Sequence, residues 1–90
     1  MKQGKLKNGF KFEIDENVLD DMELLDDMAE AEGENPLKIS AVIVRVLGKE
    51  QRKRLYDSLR DEDGRVHIED ATAAFTEILK IAGEEDGKNS

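Results

Sequence analysis

An apolar segment between a proline and a glycine restricts the fold more than any other feature of this sequence. Pro36, after Asn35, suits the first residue of a helix, and Gly48 suits its end. We therefore predict a helix over 37–47, although its β-branched content would also suit a strand. Its apolar residues leave little room for a polar face: Leu37, Ile39, Val42, Ile43, Val46 and Leu47. Such a helix should lie at the centre of the domain or in a dimer interface, and it suggests self-association.

Length and composition limit the chain to one modest core. Ninety residues suffice for one domain, and the interior must be mainly aliphatic because only 4% of the residues are aromatic. No cysteine occurs, which excludes disulfides and thiolate chemistry and suits a reducing compartment. Neither a signal peptide nor an apolar run long enough for a membrane span is seen. We expect a cytoplasmic location and no contact with a membrane.

The N-terminus carries a strand pattern. In residues 5–14, Phe10, Phe12 and Ile14 alternate with charged residues, which is the period of a strand. Asn8 and Gly9 favour a tight turn with positive φ at both residues, so Leu6 would begin the partner strand. The sequence predicts a short hairpin over about 5–14 that packs on helices.

An acidic helix follows. Asp15 or Asn17 can cap it, and Gly33 can end it in the left-handed conformation. Residues 15–34 carry ten acidic residues and no basic one. The apolar residues recur at three and four positions as one stripe: Val18, Met22, Leu25 and Ala29, flanked by Leu19 and Met28. The acids form either a solvated face or a docking surface for a basic partner.

The second half predicts two further helices. Leu55, Tyr56 and Leu59 form a narrow stripe between residues 49 and 60, and residues 61–64 form a turn. The last helix, capped near Glu69 or Asp70 after a brief extended stretch at Val66 and Ile68, should end at Gly83. Its predicted buried side holds Ala71, Ala74, Phe75, Ile78, Leu79 and Ala82. The predicted fold is a mainly helical domain of about four helices with an N-terminal hairpin, spanning 1–83, before a disordered acidic tail at 84–90.

No residue set points to catalysis, a cofactor or a metal. His67 is the only histidine and is expected at the surface beside Asp63 and Asp70. Residues 61–66 resemble a calcium-binding EF-hand loop, but the first ligand position falls on Leu59 and the twelfth on Asp70, where the loop needs Glu. We therefore expect a helix-turn-helix corner there, and no enzyme active site.

Residues 10–47 also resemble a ribbon-helix-helix DNA-binding regulator or antitoxin. In that family two chains pair their strands and the outward strand residues read the major groove. Those residues would be Lys11 and Glu13. A carboxylate in the groove and the net charge of −8 oppose binding to phosphates, so this interpretation is the alternative and nucleic acid is not the expected partner.

A second resemblance covers the whole chain. Six segments carry it, in this order along the chain: 9–14, 20–25, 47–51, 63–66, 75–79 and 87–90. In this order the segments resemble the short tail assembly chaperones of siphophages and prophages of Gram-positive bacteria. The resemblance implies a non-enzymatic helical protein that coats the tape measure protein during assembly, helps to recruit tail tube subunits, and is not expected in the mature virion.

Members of that family are often also made in a longer form by a programmed frameshift. Gly87-Lys88-Asn89 can be encoded by a slippery heptamer, so the sequence permits this. A chaperone of a long helical protein needs apolar grooves with charged rims, which we expect in residues 18–30 and 37–47. The predicted protein-binding residues are Met22, Leu25, Asp26, Leu37, Val42 and Val46.

Overall fold

The computed structural model describes residues 1–33, 35 and 37–87, with only the backbone at 84–87. Two strands precede four helices, which confirms the predicted mainly helical fold with an N-terminal hairpin. The elements in chain order are β1 (Lys2–Lys5), β2 (Lys11–Ile14), α1 (Glu16–Leu19), α2 (Met22–Glu32), α3 (Lys38–Leu59) and α4 (Ile68–Gly87). Within this part of the chain, no helix is both long and apolar enough to cross a membrane.

The hairpin is antiparallel, with Lys2 opposite Ile14 and Lys5 opposite Lys11. Phe10, Phe12 and Ile14 are all buried, as their alternation predicts. The partner strand, however, ends at Lys5 and does not begin at Leu6. The turn is wider than expected. The hydrogen bond that closes it joins the Leu6 N–H to the Phe10 carbonyl at 2.8 Å, so the turn includes more residues than the Asn8-Gly9 pair.

Within that turn only Gly9 has positive φ, at 94°. The expected second positive φ, at Asn8, is absent from the described backbone. Asn8 acts through its side chain instead, since its Oδ1 accepts from the Phe10 N–H at 2.9 Å. This contact is an Asx turn, which is the other way in which asparagine stabilises a tight bend.

The acidic segment forms two helices where one was predicted. Asp15 caps α1, and Asp21 caps α2 by accepting from the Glu23 N–H at 2.9 Å. Aspartate bonds readily to the backbone two residues on, so Asp20-Asp21 interrupts the helix and starts it again. Gly33 ends α2 as predicted, but with φ of −99° it is not in the left-handed region.

Helix α3 lies at the centre of the molecule and is kinked where a helix end was expected. Gly48 has φ of 83° and ψ of 161°, so residues 38–47 and 49–59 form two helical segments at an angle. Val42, Ile43, Val46 and Leu47 are buried, which confirms the central placement. The chain covers these four side chains itself, so their burial does not require a second copy.

Helix α4 closes the core on the other side. Ala71, Ala74, Phe75, Ile78 and Ala82 are buried and Leu79 is half-buried, as predicted. The helix begins at Ile68, so the brief extended stretch expected at Val66 and Ile68 is not formed. It also continues through Gly83 to Gly87, which corrects the predicted end. Of the predicted disordered tail, residues 84–87 belong to α4, and 88–90 lie outside the described residues.

Candidate protein-binding surface

Helix α2 presents apolar side chains in two directions. Leu24 and Ala31 are buried, and Met28 packs partly against the core. Met22, Leu25 and Ala29 are exposed. Both sets have the three- and four-residue spacing of one helix side. The stripe identified from the sequence therefore points mostly to solvent, since the helix packs through the adjacent set. We call Met22, Leu25 and Ala29 the outer stripe of α2.

The predicted protein-binding residues divide between surface and core. The side chains of Met22 and Leu25 are 68% and 54% exposed, and Asp26 lies beside them on the outer side of α2. Leu37, at the start of α3, is 87% exposed. Val42 and Val46 are only 1% and 5% exposed, because the inner side of α3 packs against the other elements. These two valines are core residues and cannot form part of a surface.

Basic residues of α3 pair with the acids on the inner edge of α2. Arg45 contacts the carboxylates of Asp21 at 2.7 Å and Asp27 at 3.3 Å. Lys38 contacts Asp27 at 3.3 Å and Glu30 at 2.7 Å. The hydrogen bonds to Glu30 and Asp27 raise the pKa of Lys38. This half of the acidic helix therefore serves the packing of α2 on α3.

The pKa of Asp21 shows the same pairing. Burial raises the pKa of this carboxyl, but the Glu23 N–H and the Arg45 guanidinium outweigh that effect and hold the pKa below its ordinary value. Asp21 is thus both a helix cap and an ion-pair partner. A reversal of its charge would disturb the junction of α2 and α3 before it tested any binding role.

Three acids in α2 or just before it are free to meet a partner. Among the described side chains, Asp20, Glu23 and Asp26 make no ion pair, and all three are exposed. Asp26 is four positions from Met22 and three from Ala29, Glu23 follows Met22 directly, and Asp20 precedes the helix, so an apolar strip about two helical turns long has a rim of uncompensated negative charge. Such a surface is complementary to a helix with an apolar side and basic flanks.

A second surface lies between the hairpin and the kink in α3. It is an open groove of about 980 Å³, and we call it the hairpin groove. Its charged lining residues are Lys5, Lys11, Glu13, Lys49, Glu50 and Arg54. Sequence reasoning missed this groove because residues 5, 11 and 49 come together only through the strand register and the kink.

Gln51 fixes one wall of the hairpin groove. The Glu13 N–H donates to Gln51 Oε1 at 2.7 Å, and Gln51 Nε2 donates to the Glu13 carbonyl at 2.7 Å. Gln51 Nε2 also donates to the Leu47 carbonyl at 2.8 Å. The amide thus occupies the backbone groups of Glu13 on the edge of β2 that faces away from β1, much as another strand would.

This edge bears on the ribbon-helix-helix interpretation. Lys11 and Glu13 do point outward on the exposed face, as that interpretation requires. However, β2 already pairs with β1 of the same chain, and Gln51 occupies the backbone of Glu13 on the other edge. In this arrangement the backbone groups of Glu13 are not free to pair with a strand of a second chain, which is the pairing on which that family depends.

The loop between α3 and α4 is organised by Asp61. His67 Nε2 lies 2.8 Å from Asp61 Oδ2, so the partner of the histidine is neither Asp63 nor Asp70. Asp61 Oδ1 accepts from the N–H groups of Asp63 and Arg65. The carboxylate is thereby used inside the corner, and within the described part of the chain no group of His, Cys, Asp and Glu residues is arranged to hold a metal ion.

Comparisons of the chain with protein-family models, with curated proteins and with solved structures give no match.

Proposed function

We propose that this chain is a phage tail assembly chaperone, which binds the tape measure protein in the host cytoplasm and helps to bring tail tube subunits to it. The outer stripe of α2, with its rim of unpaired acids, is the observation that supports this proposal. A chaperone of a long helical protein needs a shallow apolar strip that accepts successive helical segments, and a deep pocket would not serve.

The proposed contact joins the outer stripe of α2 to an apolar strip on the tape measure protein. Met22 and Leu25 would contact apolar side chains of that helix, and Asp20, Glu23 and Asp26 would pair with basic residues on its flanks. Transfer of an exposed apolar side chain out of water contributes about 1.5–3 kcal/mol when burial is complete. Two such residues give the modest affinity that a carrier needs if it must later release its cargo.

Capture of the tape measure protein tests the proposal. The chain, tagged at its N-terminus, is co-expressed with the tape measure protein encoded in the same tail gene cluster, and the two are isolated together. We expect capture by the wild type and at least about a tenfold loss with Met22→Ser/Leu25→Ser, because both anchors become polar. Ile68→Ser is the matched control, since Ile68 is also exposed and apolar but lies at the start of α4.

A charge test addresses the rim separately. Glu23→Lys/Asp26→Lys reverses two unpaired acids beside the stripe, and Glu62→Lys/Asp63→Lys makes the same change of net charge in the loop after α3. We expect only the first pair to weaken capture. Equal weakening by both pairs would mean that the acids of the rim act only through the net charge of the protein. Absence of capture by the wild type would overturn the proposed function itself.

An immunoblot against the same tag gives an independent test. The gene is expressed from its own locus with the downstream DNA intact. A minor longer product with the same N-terminus would show frameshifting near the codons of residues 87–89 and would strongly support the chaperone proposal. A single short product would remove that support and leave capture as the deciding measurement.

A further inference from the structure

We propose that the hairpin groove is a second binding site, which takes an acidic segment of another protein by pairing its carboxylates with Lys5, Lys11 and Lys49. This site lies on different elements from the outer stripe of α2 and has the opposite charge. The inference does not depend on the proposed function, because it follows from the charges and the shape of the groove.

The bases of the groove are unpaired in a chain where acids are abundant. Other exposed bases, such as Arg65 and Lys80, also lack an ion pair among the described side chains, so what distinguishes this groove is that three such bases converge there. Lys38, Arg45 and Arg60 each contact at least one carboxylate. Among the described side chains, Lys5, Lys11 and Lys49 contact none, although all three are exposed and line one groove. Their positive charge is therefore available to an outside partner.

The register of the hairpin sets two of these charges directly against each other. Lys5 and Lys11 are cross-strand partners, and like charges at such positions repel. An anion that lies between the two ammonium groups would offset the repulsion. The free protein thus carries an unfavourable charge pair that a carboxylate-bearing partner relieves, and this relief adds to the affinity.

Two contacts hold the site in place before a partner arrives. The Arg54 guanidinium lies 5.4 Å from the centroid of the buried Phe10 ring, which keeps it at the rim of the groove. Gln51 ties the backbone of Glu13 to α3, so the hairpin wall is fixed relative to the kink. Binding would therefore require little ordering of the backbone.

The acids within the groove determine which kind of anion fits. Glu13 and Glu50 also line it, so the four bases are reduced to a net charge of about +2 there. A nucleic acid presents closely spaced phosphates, which would meet these two carboxylates and the overall charge of −8. A protein segment can place a few acids opposite the lysines and leave neutral residues opposite Glu13 and Glu50. The observations favour an acidic protein segment.

Fluorescence anisotropy with a short Glu-rich peptide, labelled with fluorescein, tests this site on the full chain at low salt. We expect binding by the wild type and a loss of affinity of about tenfold or more with Lys5→Glu/Lys11→Glu. The matched control is Arg65→Glu/Lys80→Glu, which changes the net charge equally at two exposed positions outside the groove. Lys49→Glu repeats the test from the α3 side, in case the hairpin variant fails to fold.

Backbone amide shifts locate the bound peptide. We expect the shifts to concentrate at residues 3–5, 11–13 and 48–51, which form the two walls. The proposal is overturned if the peptide does not bind the wild type, or if the control weakens binding as much as the groove variants do. It is also overturned if a single-stranded DNA oligonucleotide of equal length binds the groove more tightly than the peptide does.

Discussion

Asp61 illustrates how one side chain can determine the path of a loop. Its Oδ1 accepts from the N–H groups of Asp63 and Arg65, and its Oδ2 meets His67 Nε2. The bond from the Arg65 N–H and the contact with His67 are the main reasons that the pKa of Asp61 lies below its ordinary value of 3.8. The ionised carboxylate is the form that the folded loop prefers.

This preference predicts a pH dependence. As the pH falls below 3.8, the unfolded chain takes up the proton at residue 61 before the folded chain does, so the stabilising contribution of Asp61 declines. We expect Asp61→Ala to lower the free energy of unfolding at neutral pH, and the gap to the wild type to narrow as the pH falls through the lowered pKa. Urea unfolding at several pH values measures the gap. Asp63→Ala, two positions further along the same turn, is the control. A difference between Asp61→Ala and the wild type that stays constant with pH would contradict the prediction.

Gly4 makes space for the ring of Phe12. A Cβ at residue 4 would lie 2.4 Å from Phe12 Cζ, and Phe12 is itself buried. We expect Gly4→Ala to lower the free energy of unfolding by about 1–3 kcal/mol, because the ring must shift within a packed core. Gln3→Ala, on the exposed face of the same strand, should change it by less than about 0.5 kcal/mol. Equal losses in urea unfolding would show that the ring is free to move.

At the scale of one element, α2 allows a direct test of which side is buried. Leu24 and Leu25 are neighbours, so their replacement by alanine changes helix propensity equally. We expect Leu24→Ala to cost about 2–5 kcal/mol, since this side chain is buried in the core. Leu25→Ala should cost less than about 1 kcal/mol, since it lies on the outer stripe. Reversed costs, measured by urea unfolding, would mean that the helix is rotated.

The length of α4 can be tested at Gly83. A Cβ there would meet no atom within 4 Å, and the residue lies inside the helix. Gly83→Ala should therefore raise the free energy of unfolding by about 0.5–1 kcal/mol, as expected for a helix interior. Helical circular dichroism should not fall. A loss of stability would indicate that Gly83 ends the helix, as its sequence context suggests.

For the whole molecule, unbalanced charge opposes compaction. A net charge of −8 is confined within a radius of gyration of 13.0 Å, and several acids of α2 have no basic partner among the described residues. We expect Tm to rise when NaCl is increased from low to moderate concentration, because screening weakens the repulsion more than it weakens the few partly exposed ion pairs. Arg45→Gln removes two of those pairs and should make the rise steeper. A fall in Tm with salt would show that the ion pairs dominate.

Patterns within single elements made much of this fold predictable. The alternation of Phe10, Phe12 and Ile14 identified the buried face of β2, and the apolar density of 37–47 placed that segment at the centre. Gly48 marked the break in α3. Each of these features follows from a pattern within a single element.

Features that depend on packing between elements could not be read from the sequence. Leu24 and Leu25 both belong to stripes of correct helical spacing, and only contact with α3 decides which stripe is buried. Of the residues predicted to bind a partner, Met22 and Leu25 are exposed, whereas Val42 and Val46 belong to the core. The hairpin groove depends on the register that sets Lys5 opposite Lys11, and the wide turn determines that register.

The contact between Gln51 and Glu13 has a consequence for how this molecule can diversify. In residue 13, Gln51 contacts the main-chain N–H and carbonyl and not the side chain, so the side chain at that position takes no part in this link between the hairpin and α3. Residue 13 can therefore be exchanged for almost any other without loss of the hydrogen bonds between Gln51 and the hairpin. Substitution of this one residue, in evolution or by design, could change which ligands the hairpin groove prefers while the scaffold stays unchanged.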